Sequence, residues 1–280
     1  MTELKLAVQT LLLPGRDLGE KFDAARRFGF DAVEVAVGPD FNLGENVVDI
    51  QTAVASSGLP VAAICTHPMH DPLQPDLVER ARRFAALTEL LAAATEVGAR
   101  GVVSVPVRPA RSFTSRAEQI QVIADLTEDA VEELTLWTQD IPREGAALFL
   151  EPLIRFEASF LNRVDQAVDI AKRVNHPRVL ALGDLFHMNV EESDLAGAFH
   201  YAGDLLGHVH IADNNRLQPG LGSLDLTKPF AALHEIDYSG YVSIECFSPA
   251  GPRIEGDPET AFPESIRYLR DIWRAVSPTI

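Results

Sequence analysis

Short apolar runs recur along the whole chain, and their spacing restricts the folds that it can adopt. The runs occupy residues 4–8, 32–35, 61–64, 102–105, 147–150, 179–182, 209–211 and 241–244. A glycine or proline lies within a few residues before every run except the first. Glycine suits the left-handed turn after a helix, and continuous apolar runs suit strands that are buried on both faces. The pattern predicts eight strands.

Helical periodicity fills most of the intervals between these runs. Stretches with apolar residues three or four positions apart are 17–28, 76–97, 115–140, 162–174, 191–203, 226–236 and 262–274. Alternating strands and helices indicate an α/β protein with a parallel sheet, and eight alternations in 280 residues favour a single (β/α)₈ TIM barrel over residues 1–280. An open doubly wound sheet is the alternative, but no Gly-x-Gly-x-x-Gly turn follows the first run.

Charge and composition exclude several classes of function. The 24 basic and 41 acidic residues give a net charge of −17, which repels nucleic acid and anionic membranes. No segment approaches the ~20 apolar residues that a membrane span needs. The N-terminus lacks the features of a secretory signal. The two cysteines, Cys65 and Cys246, are too few for a fold of this size to depend on disulfide bonds. We therefore expect a cytoplasmic protein.

Four consecutive predicted strands end on a residue that can bind a metal ion. Glu151, Asp184, His210 and Glu245 follow or close the fifth to eighth runs. The C-terminal ends of barrel strands form one face, where functional side chains collect. Each residue alone would fit an internal salt bridge, but four at equivalent positions favour a metal or catalytic site. The active site is expected at the C-terminal ends of strands 5–8.

The composition of this group restricts the metal. Three carboxylates and one imidazole favour a hard divalent ion such as Mn²⁺, Mg²⁺ or Co²⁺. Zinc remains an alternative because of His210.

Loop residues near the same face are further candidates. Glu157, His187 and Arg216 each follow one of the four strand ends, and His67 and His70 follow the third run. Loops carry many binding residues, although each of these side chains could also face solvent.

Three residues next to the group are interpreted individually. His208 is expected to lie on the opposite side of its strand from the site and to pack under a helix. Glu34 is expected to point into the barrel and pair with a base. Cys65 is interpreted as a small core residue near the rim.

The segment from Glu151 to Phe247 resembles ketose 3-epimerases of the tagatose/allulose (psicose) type, within the xylose-isomerase-like superfamily. The matching stretches are Leu150-Glu151-Pro152, Arg155-Phe156-Glu157, Asp184, Phe186-His187-Met188-Asn189, Glu191-Glu192, Gly207-His208-Val209-His210, Asn215-Arg216, Ile244-Glu245 and Phe247. The remainder of the chain agrees with these epimerases only in its alternation of predicted strands and helices.

The resemblance implies roles for the matching residues. Glu151, Asp184, His210 and Glu245 would bind one divalent metal, with Mn²⁺ preferred. Glu151 and Glu245 would also move a proton on the carbon beside a ketone through an enediolate. The resemblance also implies that Glu157, His187 and Arg216 hold substrate oxygens, and His67 is a further candidate for the pocket. It favours C3 epimerisation of a free ketose by a homo-oligomer.

Departures from the family pattern leave the substrate open. Leu185 replaces a threonine, Cys246 replaces a proline, and residues 10–13 lack the usual aromatic side chains. A keto-glycoside or inosose substrate, giving a lyase such as a C-glycoside deglycosidase or an inosose isomerase, is one alternative. A non-catalytic sugar-binding subunit is another, and a metal-dependent endonuclease is disfavoured by the negative charge.

Overall fold

Eight parallel strands form the centre of the protein in a computed structural model that describes residues 3–38, 43–66, 71–73, 76–105 and 112–277. The strands are β1 (Lys5–Gln9), β2 (Ala32–Val37), β3 (Val61–Thr66), β4 (Gly101–Ser104), β5 (Ala147–Leu150), β6 (Val179–Asp184), β7 (Leu206–Ile211) and β8 (Tyr241–Ile244). They pair in chain order, and β1 pairs with β8 from Lys5↔Tyr241 to Val8↔Ile244, which closes the barrel. The predicted (β/α)₈ barrel is confirmed.

Nine α-helices and one short 3₁₀ helix (Gly203–Leu205) lie in the described ranges. The α-helices are α1 (Leu18–Phe28), α2 (Leu43–Ser57), α3 (Leu77–Glu96), α4 (Arg116–Thr138), α5 (Val164–Val174), α6 (Leu185–Glu191), α7 (Leu195–Ala202), α8 (Thr227–Glu235) and α9 (Pro258–Val276). The helix α2 was not among the predicted stretches, although Leu43, Val47 and Ile50 form a buried stripe on it. The predicted helix 191–203 is wrong at its start, because α6 ends at Glu191 and α7 begins at Leu195.

Close packing inside the barrel explains two glycines. The Phe149 ring of β5 is fully buried and lies against Gly101 of β4 and Gly207 of β7. A Cβ atom at Gly207 would lie 2.5 Å from the Phe149 ring, far inside van der Waals contact. The same ring stacks on His208, with centroids 5.5 Å apart and planes 6° from parallel. Phe149 and His208 therefore fill the barrel interior.

A short hairpin follows β8 and contributes Phe247 and Pro252 to the wall of a cavity. Its strands β9 (Phe247–Ser248) and β10 (Gly251–Pro252) are antiparallel. Among the helices in the described ranges, none is long and apolar enough to cross a membrane.

Candidate active site

The structure brings the four strand-end residues together. Asp184 ends β6 and His210 lies in β7, while Glu151 and Glu245 directly follow β5 and β8. One ligand atom from each lies within 4.8 Å of one ligand atom from every other. Three of the side chains are buried, and the side chain of Glu245 is 12% exposed. The C-terminal ends of four adjacent parallel strands produce this convergence.

The His210 ring is fixed by contacts on both nitrogens. Its Nδ1 lies 3.0 Å from Glu151 Oε1 and 3.2 Å from Glu245 Oε2. Its Nε2 lies 3.1 Å from Glu34 Oε2 on the inner side of the barrel. Nδ1 is therefore the nitrogen that faces the cluster, and Nε2–H can donate to Glu34. A carboxylate that accepts from the other ring nitrogen is the usual support for a metal-binding histidine.

Burial and charge push the pKa values of the two glutamates in opposite directions. Burial raises the pKa of Glu151 to about 7, against the lowering effect of His210. Burial also opposes ionisation of Glu245, but the charge and hydrogen bond of His210 outweigh it and lower the pKa of that carboxyl. A pair of acids with separated pKa values suits a base and an acid in one reaction.

The cluster fits a divalent cation. Burial disfavours a charged imidazole, but Glu34, Glu245 and Glu151 raise the pKa of His210 well above its ordinary value. Such a concentration of buried carboxylates is costly without a compensating positive charge. Three carboxylate oxygens and one imidazole nitrogen are also ligands that Mn²⁺, Mg²⁺, Co²⁺ or Zn²⁺ accepts. An ion within this group would supply the charge and displace a proton from Nδ1.

Two carboxylates of the cluster, Glu151 and Glu245, line a cavity of about 510 Å³. A cavity of this size suits a small organic ligand. The polar residues of its wall include Gln9, Glu151, Glu157, His187, Arg216 and Glu245. The apolar part includes Ala36 and Val37 at the end of β2, Leu11 after β1 and Val105 directly after β4. Glu157, His187 and Arg216 therefore share one pocket with the two glutamates. The expectation that His187 lies in a loop was wrong, because it belongs to helix α6.

Arg216 is held by the loops around it. Its Nη1 donates to Glu157 Oε1 at 2.6 Å, and its guanidinium lies 4.7 Å from the Phe186 ring centre and 4.5 Å from that of Phe247. Burial opposes its charge, but Glu157 raises the pKa of Arg216. Its backbone has φ 62°, a left-handed conformation that is uncommon for a residue with a side chain. These contacts hold the guanidinium at the pocket wall.

His187 presents one defined nitrogen to the site. The Ile154 N–H donates to His187 Nδ1 at 3.3 Å, so the neutral ring carries its proton on Nε2. His187 Nε2 lies 3.5 Å from Asp184 Oδ2. Helix α6 positions this ring, because it begins directly after Asp184 and Asp184 Oδ1 accepts from the Phe186 N–H at 2.7 Å. One aspartate thus caps the helix and belongs to the cluster.

The expectation for His208 was wrong. Its Nε2 lies 2.7 Å from Glu34 Oε2 inside the barrel, and its ring centre is 5.1 Å from that of His210. Side chains alternate along a strand, so residues two apart share a face. Burial lowers the pKa of His208, and within the described residues its Nδ1 has no hydrogen-bond partner. A neutral ring that donates from Nε2 fits both observations.

Glu34 points into the barrel, as expected, and Gln9 accompanies it. Gln9 is buried at the end of β1, and its Nε2 lies 2.8 Å from Glu34 Oε1 and 2.7 Å from Glu245 Oε1. The sequence interpretation missed Gln9, although it is a polar residue at a strand end, the same signal that identified Asp184. His67 and His70 lie outside the described residues, and Cys65 is a buried residue of the pocket wall.

Comparison with known proteins identifies the family. The sequence pattern of the xylose isomerase-like TIM barrel family matches residues 22–272. The chain belongs to this family. Within the xylose isomerase-like barrels, the 3-dehydro-D-guloside 4-epimerase of Escherichia coli (strain K12) is 34% identical over 273 residues, covering 95% of this chain and 99% of that protein. The apo crystal structure of a 3-keto-D-glucoside 4-epimerase from E. coli superimposes with a TM-score of 0.81 at 30% identity, covering 96% of this chain and 100% of the other.

Ketose 3-epimerases are also relatives within this family. The D-psicose 3-epimerase of Enterocloster bolteae is 40% identical over 107 residues, which cover 38% of this chain and 36% of that protein. The resemblance to ketose 3-epimerases seen in the sequence is confirmed. These relatives are named as carbohydrate epimerases, which are isomerases.

Proposed function

We propose that this protein is a metal-dependent carbohydrate epimerase that inverts a carbon beside a ketone. The observation that carries the proposal is that Glu151 and Glu245 both contact His210 Nδ1, at 3.0 Å and 3.2 Å, in the wall of one cavity. Two carboxylates at one reacting carbon can remove a proton and return one. The epimerase relatives favour proton transfer over bond cleavage or simple binding.

Glu151, Asp184, His210 and Glu245 are the residues proposed to hold the metal, and Mn²⁺ is the proposed ion. When bound, a divalent ion polarises the ketone oxygen and acidifies the neighbouring C–H bond. The oxygen-rich donor set supports Mn²⁺ over zinc.

Proton transfer and hydrogen bonding to the substrate are assigned to individual side chains. In one direction Glu245, the more acidic of the pair, accepts the proton from carbon, and Glu151 returns a proton on the other face. The reverse reaction exchanges these two roles. His187 Nε2–H and the Arg216 guanidinium would donate hydrogen bonds to the developing enediolate oxygens, and Glu157 would accept one from a hydroxyl.

A 3-keto-glycoside is the proposed substrate class. The support is the match to a 3-dehydro-D-guloside 4-epimerase, which extends over 95% of this chain and includes the first strands. A free ketose is the second candidate, since the D-psicose 3-epimerase match is 40% identical but covers only 38% of the chain. A free ketose and a keto-glycoside differ in the part of the molecule that lies away from the reacting carbon. The side of the cavity that would contact this part carries Leu11, Ala36 and Val37.

Proton exchange in D₂O tests the proposal. Protein with Mn²⁺ is mixed separately with 3-keto-glucosides, fructose, tagatose, ribulose and 2-keto-inositol and followed by NMR. We expect deuterium uptake and a new epimer beside the ketone. Glu245→Gln and Glu151→Gln should each abolish epimer formation, and each should abolish uptake only from the epimer that the missing carboxylate deprotonates. Glu192→Gln is the control, because Glu192 accepts from the Val164 N–H outside the cavity. A protein that binds Mn²⁺ and exchanges no proton with any of these ketones contradicts the proposal.

Three further properties belong to the proposal. We propose one domain over residues 1–280, a cytoplasmic location and a homo-oligomer. Limited proteolysis, fractionation and light scattering would test the three respectively, and a stable monomer would contradict the last.

A further inference from the structure

Gln9 at the end of β1 connects the buried carboxylate of Glu34 on β2 with the largely buried carboxylate of Glu245 after β8. Its Nε2 lies 2.7 Å from Glu245 Oε1 and 2.8 Å from Glu34 Oε1. The Gln9 side chain is buried and also belongs to the cavity wall. It is therefore in contact with one member of the proposed proton-transfer pair.

The orientation of this amide follows from its neighbours. An ionised carboxylate only accepts hydrogen bonds, and a primary amide nitrogen has two hydrogens to donate. The two hydrogens of Gln9 Nε2 match the two oxygens of Glu34 and Glu245. A flipped amide would place a carbonyl oxygen against two carboxylates. The Gln9 amide is thus fixed with its nitrogen between them.

Each oxygen of the Glu245 carboxylate therefore has its own partner. Oε2 faces His210 Nδ1 at 3.2 Å, on the side of the cluster. Oε1 receives the Gln9 hydrogen bond at 2.7 Å. Rotation of the carboxylate out of its present plane would break both contacts, so Gln9 and His210 together hold the plane of this group.

Glu34 anchors Gln9 in turn. Glu34 is completely buried, and its Oε2 receives hydrogen bonds from His208 at 2.7 Å and His210 at 3.1 Å. Gln9, Glu34, His210 and Glu245 therefore form a closed ring of side chains from β1, β2, β7 and the end of β8. A ring whose members restrain one another resists reorientation better than a single pair does.

We propose that Gln9 is a positioning residue that holds Glu245 in the orientation required for ion binding and for proton transfer at one face of the substrate. This inference rests on the proposed epimerase function. Gln9 acts through Glu245, and its loss affects the proton transfer that Glu245 performs more than the one that Glu151 performs.

The test uses Gln9→Met, which keeps the side-chain length and removes the two donors. Gln218→Met is the matched control, because Gln218 is a buried glutamine whose side-chain amide, among the residues that the structure describes, bonds only the Glu255 backbone. Thermal unfolding confirms that both variants fold. Exchange in Glu151→Gln and Glu245→Gln first identifies which epimer each glutamate deprotonates.

The decisive quantity is the ratio of deuterium exchange to epimerisation in D₂O. For the epimer deprotonated by Glu151, slow return of a proton by Glu245 lets the intermediate revert, so this ratio rises in Gln9→Met. We expect kcat to fall about 10- to 100-fold, the usual range for an outer-shell partner, with a smaller change in KM. A ratio at the wild-type value overturns the proposal even if kcat falls, since a general structural defect slows both faces together.

Calorimetry with Mn²⁺ keeps the two proposals separate. If no ketone exchanges with the wild-type protein, the proposed function fails, but the role of Gln9 is still decided by metal affinity. A loss of affinity in Gln9→Met that is absent from Gln218→Met supports positioning of Glu245. Equal Mn²⁺ affinity in wild type and Gln9→Met then overturns it.

Discussion

Asp184 offers a test of the metal site that separates ion binding from folding. Its Oδ1 caps helix α6 by accepting from the Phe186 N–H, and the residue also belongs to the four-residue cluster. Asparagine caps helices about as well as aspartate. Asp184→Asn should therefore keep α6 and remove one negative charge from the cluster. Because the Asp184 charge also raises the pKa of Glu151, the metal-free variant should be at least as stable as wild type.

The size of the effect follows from ligand linkage. Free Mn²⁺ at 100 times its dissociation constant stabilises the wild type by about 2.7 kcal/mol. A chain of this size changes Tm by about 2–4 °C per kcal/mol, so we expect a rise of about 5–10 °C. If the variant loses about 100-fold in affinity, the same Mn²⁺ concentration contributes only about 0.4 kcal/mol, or about 1 °C.

Thermal unfolding after chelation, without and with added Mn²⁺, measures this difference. Asp213→Asn is the matched control: Asp213 is buried, lies outside the cluster and accepts three backbone N–H groups, from Asn214, Gly220 and Leu224. It should lower Tm and leave the Mn²⁺ response intact. An Asp184→Asn protein that responds to Mn²⁺ as strongly as wild type would refute this assignment of the ion site.

Three other predictions concern pH, packing and the pocket. The pKa of Glu151 is raised to about 7 and that of His210 is also raised, so Mn²⁺ must displace protons from these groups when it binds. The affinity for Mn²⁺ should therefore increase with pH, by up to about tenfold per pH unit for each proton displaced. Calorimetry that finds equal affinity on both sides of neutral pH contradicts this. Gly207→Ala places a Cβ 2.5 Å from the Phe149 ring and should destabilise the barrel by about 1–3 kcal/mol in denaturant unfolding, partly recovered with Phe149→Leu; a wild-type midpoint would count against this packing. Arg216→Lys keeps the charge but loses the planar group that contacts the Phe186 and Phe247 rings, and kcat/KM should fall by about tenfold or more; unchanged kinetics would contradict a role of Arg216 in substrate binding.

The sequence could predict the barrel and the convergence of four residues because both depend on local patterns. Buried parallel strands are continuous apolar runs, and a charged residue at the end of such a run is conspicuous at Glu151, Asp184 and Glu245. Gln9 carries no charge and is therefore less conspicuous, although it is also a polar residue at the end of an apolar run. The side of the strand occupied by His208 was also predictable, since its separation of two from His210 fixes a common face.

Other features depend on contacts between distant parts of the chain. The Arg216–Glu157 pair joins loops 59 residues apart, and its geometry follows from how the loops after β5 and β7 pack. Helix α6 was hidden because the apolar residues Leu185 and Phe186 directly follow the strand, without a glycine or proline between them. Asp184 ends one element and caps the next, and only the structure separates these roles.

The hydrogen bond between Gln9 and Glu245 crosses the seam where the first strand meets the last, and its partners are 236 residues apart in the chain. A cluster that needs Glu245 cannot be completed until β8 has docked, and such distant pairings form slowly. An ion that binds only this finished arrangement would therefore retard unfolding without accelerating folding. A bound metal would therefore lengthen the lifetime of the native state. The expected result is slower digestion by proteases in the presence of the metal, with an unchanged refolding rate.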